Sequence, residues 1–153
     1  MIKEIIKFII PFQYEESKML SYYRISRFLQ NKHMNFLSQI CKHRIYVKYH
    51  CIISPKAIIG KKVRFPHPIG IIIGEGSVIK DKVTIYQNVT IGRKTKNENF
   101  YPIIEENSII YGNSMILGNV IIEKNTVVGA NSLVLKNTEC NSIYAGSPAK
   151  KIK

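Results

Sequence analysis

The chain has 153 residues, 45% of them hydrophobic, and this length fits a single domain with a hydrophobic core. Its net charge of +13 favours anionic partners: nucleotides, phosphorylated cofactors, acidic glycans, nucleic acid or membrane surfaces. Three cysteines with no CxxC pair and no Cys/His metal spacing argue against a disulfide framework or a structural metal. We therefore expect no metal and a cytoplasmic location.

Residues 1–50 predict a short helical N-terminal segment. Apolar residues recur at helical spacing in a stretch without Gly or Pro, as at Met19, Tyr22 and Tyr23. The preceding "MIKEIIKFIIPF" is apolar but too short to span a bilayer. We expect residues 1–12 to pack on the protein itself or on a neighbouring subunit, or to contact the inner face of a membrane.

A repeat of six residues runs through 51–153. The positions that carry it are β-branched aliphatics or phenylalanine, in three runs: Ile53, Ile59, Phe65; Ile73, Ile79, Ile85, Ile91; and Ile104, Ile110, Ile116, Ile122, Val128, Val134. A period of six fits neither a helix nor an alternating strand, and it is typical of a parallel β-helix. An all-β sandwich would instead show turns every 8–12 residues. We predict a mainly β fold, a parallel β-helix of hexapeptide repeats that ends in a short C-terminal tail.

The repeat breaks twice. Phe65 and Ile73 are eight residues apart, which indicates a two-residue insertion. Ile91 and Ile104 are thirteen apart, one more than two repeats, and this segment predicts a protruding loop over 92–103.

The hexads, "HPIGIIIGEGSVI", "IYQNVTIG" and the ending "AGSPAKKIK" together resemble the hexapeptide-repeat acyltransferases. The similarity is to the branch that holds serine acetyltransferases and their sugar-modifying relatives. The resemblance implies a left-handed β-helix, a homotrimer with active sites in clefts between subunits, and acetyl-CoA as the donor.

His67 follows an early hexad and precedes "IGIIIGE", which is the family's position for a catalytic histidine. The resemblance implies that His67 is the general base, which removes the proton of an acceptor hydroxyl as its oxygen attacks the thioester. Without that context, a corner histidine held for packing would be the simpler interpretation. The carboxylate that normally orients the ring is replaced by Ile52, so either Glu75 or a backbone carbonyl is expected to orient it.

The resemblance also implies a donor site. Gly112 and Ala130 stand where small residues line the pantetheine arm, and Lys150 stands at a basic position near the nucleotide. Gly92, at the base of the predicted loop, would let the thioester approach closely. In each case an ordinary turn or a solvated basic tail is the alternative.

The acceptor positions depart from the serine enzymes, which carry an Arg-His pair where this chain has Phe100-Tyr101 and an acidic residue where it has Pro66. Aromatic rings suit the apolar face of a sugar, whereas serine needs charged partners. We therefore expect acetylation of a sugar hydroxyl in a surface polysaccharide or its precursor, an acidic or lipid-linked acceptor included. The alternatives are a serine O-acetyltransferase and a non-catalytic β-helix binding module. We expect no nucleic-acid partner, because no aromatic-basic pattern repeats along the coils.

Overall fold

The computed structural model describes residues 15–153. Two antiparallel helices come first, α1 (Glu15–Asn31) and α2 (Asn35–Tyr49). Fourteen short strands follow within the described residues: β1 (Ile52–Ile53), β2 (Ile58–Ile59), β3 (Ile72–Ile73), β4 (Val78–Ile79), β5 (Thr84–Ile85), β6 (Thr90–Gly92), β7 (Ile103–Ile104), β8 (Ile109–Ile110), β9 (Met115–Leu117), β10 (Ile121–Ile122), β11 (Val127–Val128), β12 (Leu133–Val134), β13 (Ile143–Gly146) and β14 (Ala149–Lys151).

The strands form a left-handed parallel β-helix with three faces, as predicted. Face 1 holds β1-β3-β6-β9-β12, face 2 holds β2-β4-β7-β10, and face 3 holds β5-β8-β11-β13-β14. The hexad aliphatics point to the axis, and all of them are buried except Ile59, which is half-buried. This continuous column of branched side chains is the hydrophobic core.

Small polar residues and asparagines shape the corners between the faces. The hydroxyls of Ser108 and Ser114 are buried and donate to the backbone oxygens of Glu123 and Gly129, at 2.9 and 2.8 Å. Asparagine tolerates a left-handed backbone better than most residues, and it takes that conformation at one corner position after another: Asn88, Asn107, Asn113, Asn125, Asn131 and Asn141.

The first break in the repeat is a two-residue insertion, as predicted. Ile53 pairs with Ile73 in the next coil, twenty residues later, whereas an uninterrupted coil takes eighteen. The extra residues lie between face 3 and face 1. We call this edge the His67 corner; it comprises residues 66–70, 86–88, 111–113 and 129–131.

The second break lies in the segment for which a protruding loop over 92–103 was predicted, and the strand pairing shows how its thirteen residues divide. Ile104 pairs with Ile79 on face 2, so only one hexad step separates it from Ile91 on face 1. The remaining seven residues form the loop, which leaves the β-helix between face 1 and face 2. We call this edge the loop corner; it comprises residues 54–57, 74–77, 93–102 and 118–120.

Helix α1 covers the open end of the first coil. The Tyr23 hydroxyl donates to the Ala57 oxygen at 2.6 Å and accepts from the Ile59 amide at 3.2 Å. Glu16 accepts from the Phe65 amide at 3.1 Å. These side chains satisfy edge groups that have no coil beneath them, and they also block edge-to-edge pairing.

Helix α2 carries apolar side chains on two sides. Ile45 and Tyr49 are buried, whereas Phe36, Ile40 and Val47 on the opposite side are exposed. Within residues 15–153, no helix is long and apolar enough to cross a membrane. The predicted role of residues 1–12 lies outside the described residues.

Candidate active site

His67 lies on the His67 corner, in the segment that links face 3 to β3. Proline fixes the backbone on both sides of it, and the Ile69 amide donates to the His67 oxygen at 2.8 Å, which closes a tight turn. The residue is exposed. The insertion thus presents the imidazole to solvent on a rigid backbone, where it can reach a bound molecule.

Two tyrosines stack above His67 in the next two coils. The centroid of the Tyr86 ring lies 6.0 Å from that of His67 with the rings tilted by 50°, and Tyr111 stacks on Tyr86 at 5.0 Å and 17°. Neither tyrosine was predicted from the sequence. Each directly follows a buried hexad isoleucine, so counting by coil would have placed them on the same corner as His67.

A pocket of about 360 Å³ lies below His67, between the first coil and the two helices. Its walls combine an imidazole, a carboxylate, an ammonium group and apolar atoms, from Glu15, Lys48, Tyr49, Pro66, His67, Pro68 and Ile69. Glu15 and Lys48 were not predicted from the sequence, because they come from separate helices and belong to no motif.

Hydrogen bonds tie the charged groups of this pocket together. The Tyr49 hydroxyl donates to Glu15 Oε2 at 2.8 Å, and Lys48 Nζ lies 3.0 Å from the same oxygen. These contacts, first with Lys48 and then with Tyr49, hold the pKa of Glu15 below its usual range. Burial, and then the hydrogen bond to Glu15, raise the pKa of Tyr49. The Glu15 carboxylate in this pocket is therefore charged at neutral pH, and it lies beside the Lys48 side chain.

Two of the predicted donor residues share the His67 corner. Gly112 is buried, Ala130 is exposed one coil further on, and the Asn131 amide donates to the Gly112 oxygen at 3.1 Å. Space at Gly112 is limited, since a Cβ there would lie 2.9 Å from Nε2 of Gln87. The Oε1 atom of Gln87 is buried and has no hydrogen-bond partner within residues 15–153.

The other two predicted donor residues lie elsewhere in the chain. Gly92 ends β6 at the loop corner, where a Cβ would meet nothing within 4 Å. Lys150 is exposed in β14 at the far end of the β-helix, paired with Ala145. A single chain brings His67, Gly112 and Ala130 to one corner and leaves Gly92 and Lys150 outside it.

The predicted acceptor residue Tyr101 is occupied by packing. A Cβ on Gly76 would lie 2.3 Å from the Tyr101 ring and a Cβ on Gly74 would lie 2.8 Å from it, so the ring rests on the backbone of the preceding coil. Phe100 is 59% exposed. The contact with Gly74 and Gly76 covers part of the Tyr101 ring, and Tyr101 anchors the returning end of the loop.

Glu75 does not reach the imidazole within one chain. It follows β3, whereas His67 precedes β3, so they lie on different corners of the β-helix. The Glu75 carboxylate pairs with Lys56 Nζ at 3.2 Å on the loop corner. The orienting role expected for Glu75 would therefore need a neighbouring chain.

No group of three or more His, Cys, Asp or Glu side chains within residues 15–153 is placed to hold a metal ion. The chemistry available on the His67 corner is that of an exposed imidazole, a mixed-charge pocket below it and small residues above it. This arrangement suits proton transfer between two bound substrates.

Comparison with known proteins shows what the chain is similar to. Residues 101–136 match the family model described as bacterial transferase hexapeptide (six repeats). A serine acetyltransferase of Buchnera aphidicola subsp. Acyrthosiphon pisum is 38% identical over 133 residues, which are 86% of this chain and 48% of the relative. The chain spans about half the length of the curated relatives it matches.

Solved structures give the same result. A serine acetyltransferase in complex with CoA superposes with a TM-score of 0.83 and 34% identity, over 89% of this chain and 56% of that one. A soybean serine acetyltransferase complexed with serine gives a TM-score of 0.84 and 29% identity, over 89% and 56% of the two chains. These matches contradict the predicted sugar O-acetyltransferase with a polysaccharide acceptor, and they favour the serine alternative.

Proposed function

We propose that this chain, a member of the hexapeptide-repeat transferases, is a serine O-acetyltransferase that takes its acetyl group from acetyl-CoA. The observation that carries the proposal is similarity to serine acetyltransferases over 86–92% of the chain, structures with bound CoA and bound serine among them. The exposed His67 supports it, because an O-acetyl transfer needs a base for the acceptor proton.

His67 acts as the general base in a direct transfer. Its free ring nitrogen accepts the proton of the serine hydroxyl as the hydroxyl oxygen attacks the carbonyl carbon of the thioester. When the C–S bond breaks, the imidazolium returns the proton to the leaving thiolate, so the products are O-acetylserine and CoA. No acyl-enzyme is needed, since the thioester is already activated.

The donor is expected to lie along the His67 corner, above the imidazole. Gly112 and Ala130 present little side chain there, so the thin pantetheine arm of acetyl-CoA can lie against the backbone. The net charge of +13 favours the phosphates of coenzyme A. Lys150 is the basic residue that we expect to contact them.

A homotrimer would bring the remaining predicted residues into the same site. Phe100 and Glu75 lie on the loop corner and Gly92 directly precedes it, away from His67 of the same chain. In a trimer with active sites between subunits, the loop corner of one chain can face the His67 corner of the next. Light scattering of the purified protein tests this, with a mass of three 17.6 kDa chains expected.

The activity is tested by the release of free thiol from acetyl-CoA with L-serine, and by mass spectrometry of the product. We expect serine-dependent thiol release by wild type and none by His67→Ala. The matched control is His43→Ala, which removes an exposed histidine of α2 and should retain the activity. No release with serine, or equal release by wild type and His67→Ala, would refute the proposal.

A further inference from the structure

The pocket below His67 holds an ion pair whose two members each retain unused bonding capacity. Glu15 Oε2 is engaged by Tyr49 and Lys48, whereas the contact that Oε1 makes within residues 15–153 is a distant ion pair with Lys18, at 3.8 Å. The ammonium of Lys48 offers three donors. Both side chains are about half exposed, so a bound molecule can reach their polar ends.

Opposite charges side by side match one class of small molecule, the α-amino acids. An amino acid carries its ammonium and carboxylate on neighbouring carbons, so a carboxylate and an ammonium in one pocket can each take the complementary end. Opening the Glu15–Lys48 pair costs little, because exposed ion pairs are weak. Burial of both charges would have made that exchange expensive.

Tyr49 holds both charged groups in position. Its hydroxyl donates to Glu15, and Lys48 Nζ lies 5.3 Å from the centroid of its ring. Tyr49 itself is buried at the end of α2, so its position is set by the packing of the helices against the first coil. Tyr49 thus contacts both charged groups, in the pocket that His67 also lines.

We propose that Glu15 and Lys48 form the subsite for the amino acid acceptor, an assignment that rests on the proposed function. The Glu15 carboxylate binds the ammonium of serine, Lys48 binds its carboxylate, and the hydroxyl points to His67 at the pocket rim. The acceptor then approaches from the helical end and the donor from the coils above, and they meet at the imidazole. Neither Phe100 nor Tyr101 carries a charge that could do this.

The subsite is tested by steady-state kinetics with charge-neutral variants. Glu15→Gln and Lys48→Gln should each raise KM for L-serine at least tenfold and leave KM for acetyl-CoA within about twofold. The matched controls are Glu16→Gln, which removes a carboxylate bonded to the first coil, and Lys18→Gln, which removes the other lysine near Glu15. Both controls should keep the wild-type KM for serine.

Acceptor analogues that lack one charged group of serine test which end of serine Glu15 binds and which end Lys48 binds. Wild type should prefer L-serine over L-serinamide, which lacks the carboxylate, and over 3-hydroxypropanoate, which lacks the ammonium. Lys48→Gln should lose the first preference and Glu15→Gln the second. If either variant retains both preferences, the assignment is wrong even though the proposed function stands.

Two further outcomes complete the test. Because Glu15→Gln also weakens the hydrogen bond from Tyr49, by replacing a charged acceptor with a neutral one, its thermal unfolding is compared with that of Tyr49→Phe, which removes this bond and keeps both charges. Tyr49→Phe should raise KM for serine less than Glu15→Gln does, and an equal rise would mean that Glu15 acts only through stability. If wild type turns over no serine, the proposed function fails and the subsite fails with it.

Discussion

Substitution of Gly76 by alanine tests the assignment of Tyr101 as the anchor of the loop. The backbone of Gly76 is outside the left-handed region, so alanine is conformationally allowed there. Its Cβ, however, would lie 2.3 Å from Cδ2 of Tyr101. Since carbon atoms in contact lie about 3.5–4.0 Å apart, the ring must retreat by roughly 1 Å or more.

Overpacking of this kind typically costs about 1–3 kcal/mol. For a chain of this size, that free energy corresponds to a fall in Tm of roughly 2–12 °C. The assay is thermal unfolding by circular dichroism at one fixed protein concentration. Gly92→Ala is the matched control and should leave Tm unchanged, because a Cβ at Gly92 meets nothing within 4 Å.

A double-mutant cycle separates this clash from any other effect of alanine. Tyr101→Ala should destabilise the protein alone, since it empties the space above the Gly76 backbone. The double variant should be less destabilised than the sum of the two single variants, by about 1–3 kcal/mol. Additive effects, or an unchanged Tm for Gly76→Ala, would refute the argument that Tyr101 is packed on this backbone.

Three other substitutions test the donor path, the cap on the first coil and the Glu15 carboxylate. Ala130→Leu should raise KM for acetyl-CoA at least tenfold with an unchanged Tm, because Ala130 is exposed on the proposed donor path. Tyr23→Phe should lower the free energy of unfolding by about 1–3 kcal/mol in denaturant titration, because the Ile59 amide loses its acceptor, whereas the Ala57 oxygen keeps a second donor, Arg27 Nη1 at 2.6 Å. The Tm advantage of wild type over Glu15→Gln should be present at pH 7 and vanish as pH falls through the folded pKa. Stability is lost towards low pH because the folded pKa of Glu15 lies below the usual value of 4.5 for a carboxyl, so the folded state favours the charged form.

The sequence predicts the β-helix well because its signal is redundant. Thirteen hexad positions repeat the same requirement for a branched or aromatic core residue, and a single exception such as Ile59 does not obscure the period. The two-residue insertion was also predictable, since it shifts that period by a countable amount. The thirteen-residue break indicated a loop, but spacing alone does not say to which face the chain returns. That is fixed by the pairing of Ile104 with Ile79.

The residues proposed to bind the acceptor could not be predicted from the sequence pattern, for two physical reasons. An aromatic residue in a loop suits either ligand contact or packing, and only the proximity of Gly74 and Gly76 shows that Tyr101 packs. Lys48 lies on a helix with apolar residues on opposite sides, such as Phe36 and Tyr49. The periodicity of α2 therefore does not tell which side faces the first coil and which side chains reach His67.

The most direct test of the account is the rate of serine-dependent thiol release from acetyl-CoA for wild type and His67→Ala. General-base catalysis contributes about 10²–10⁴-fold, so the variant should be at least a hundredfold slower, and wild type should form O-acetylserine. A sugar acceptor turned over while serine is inert, or a variant as fast as wild type, would contradict the account.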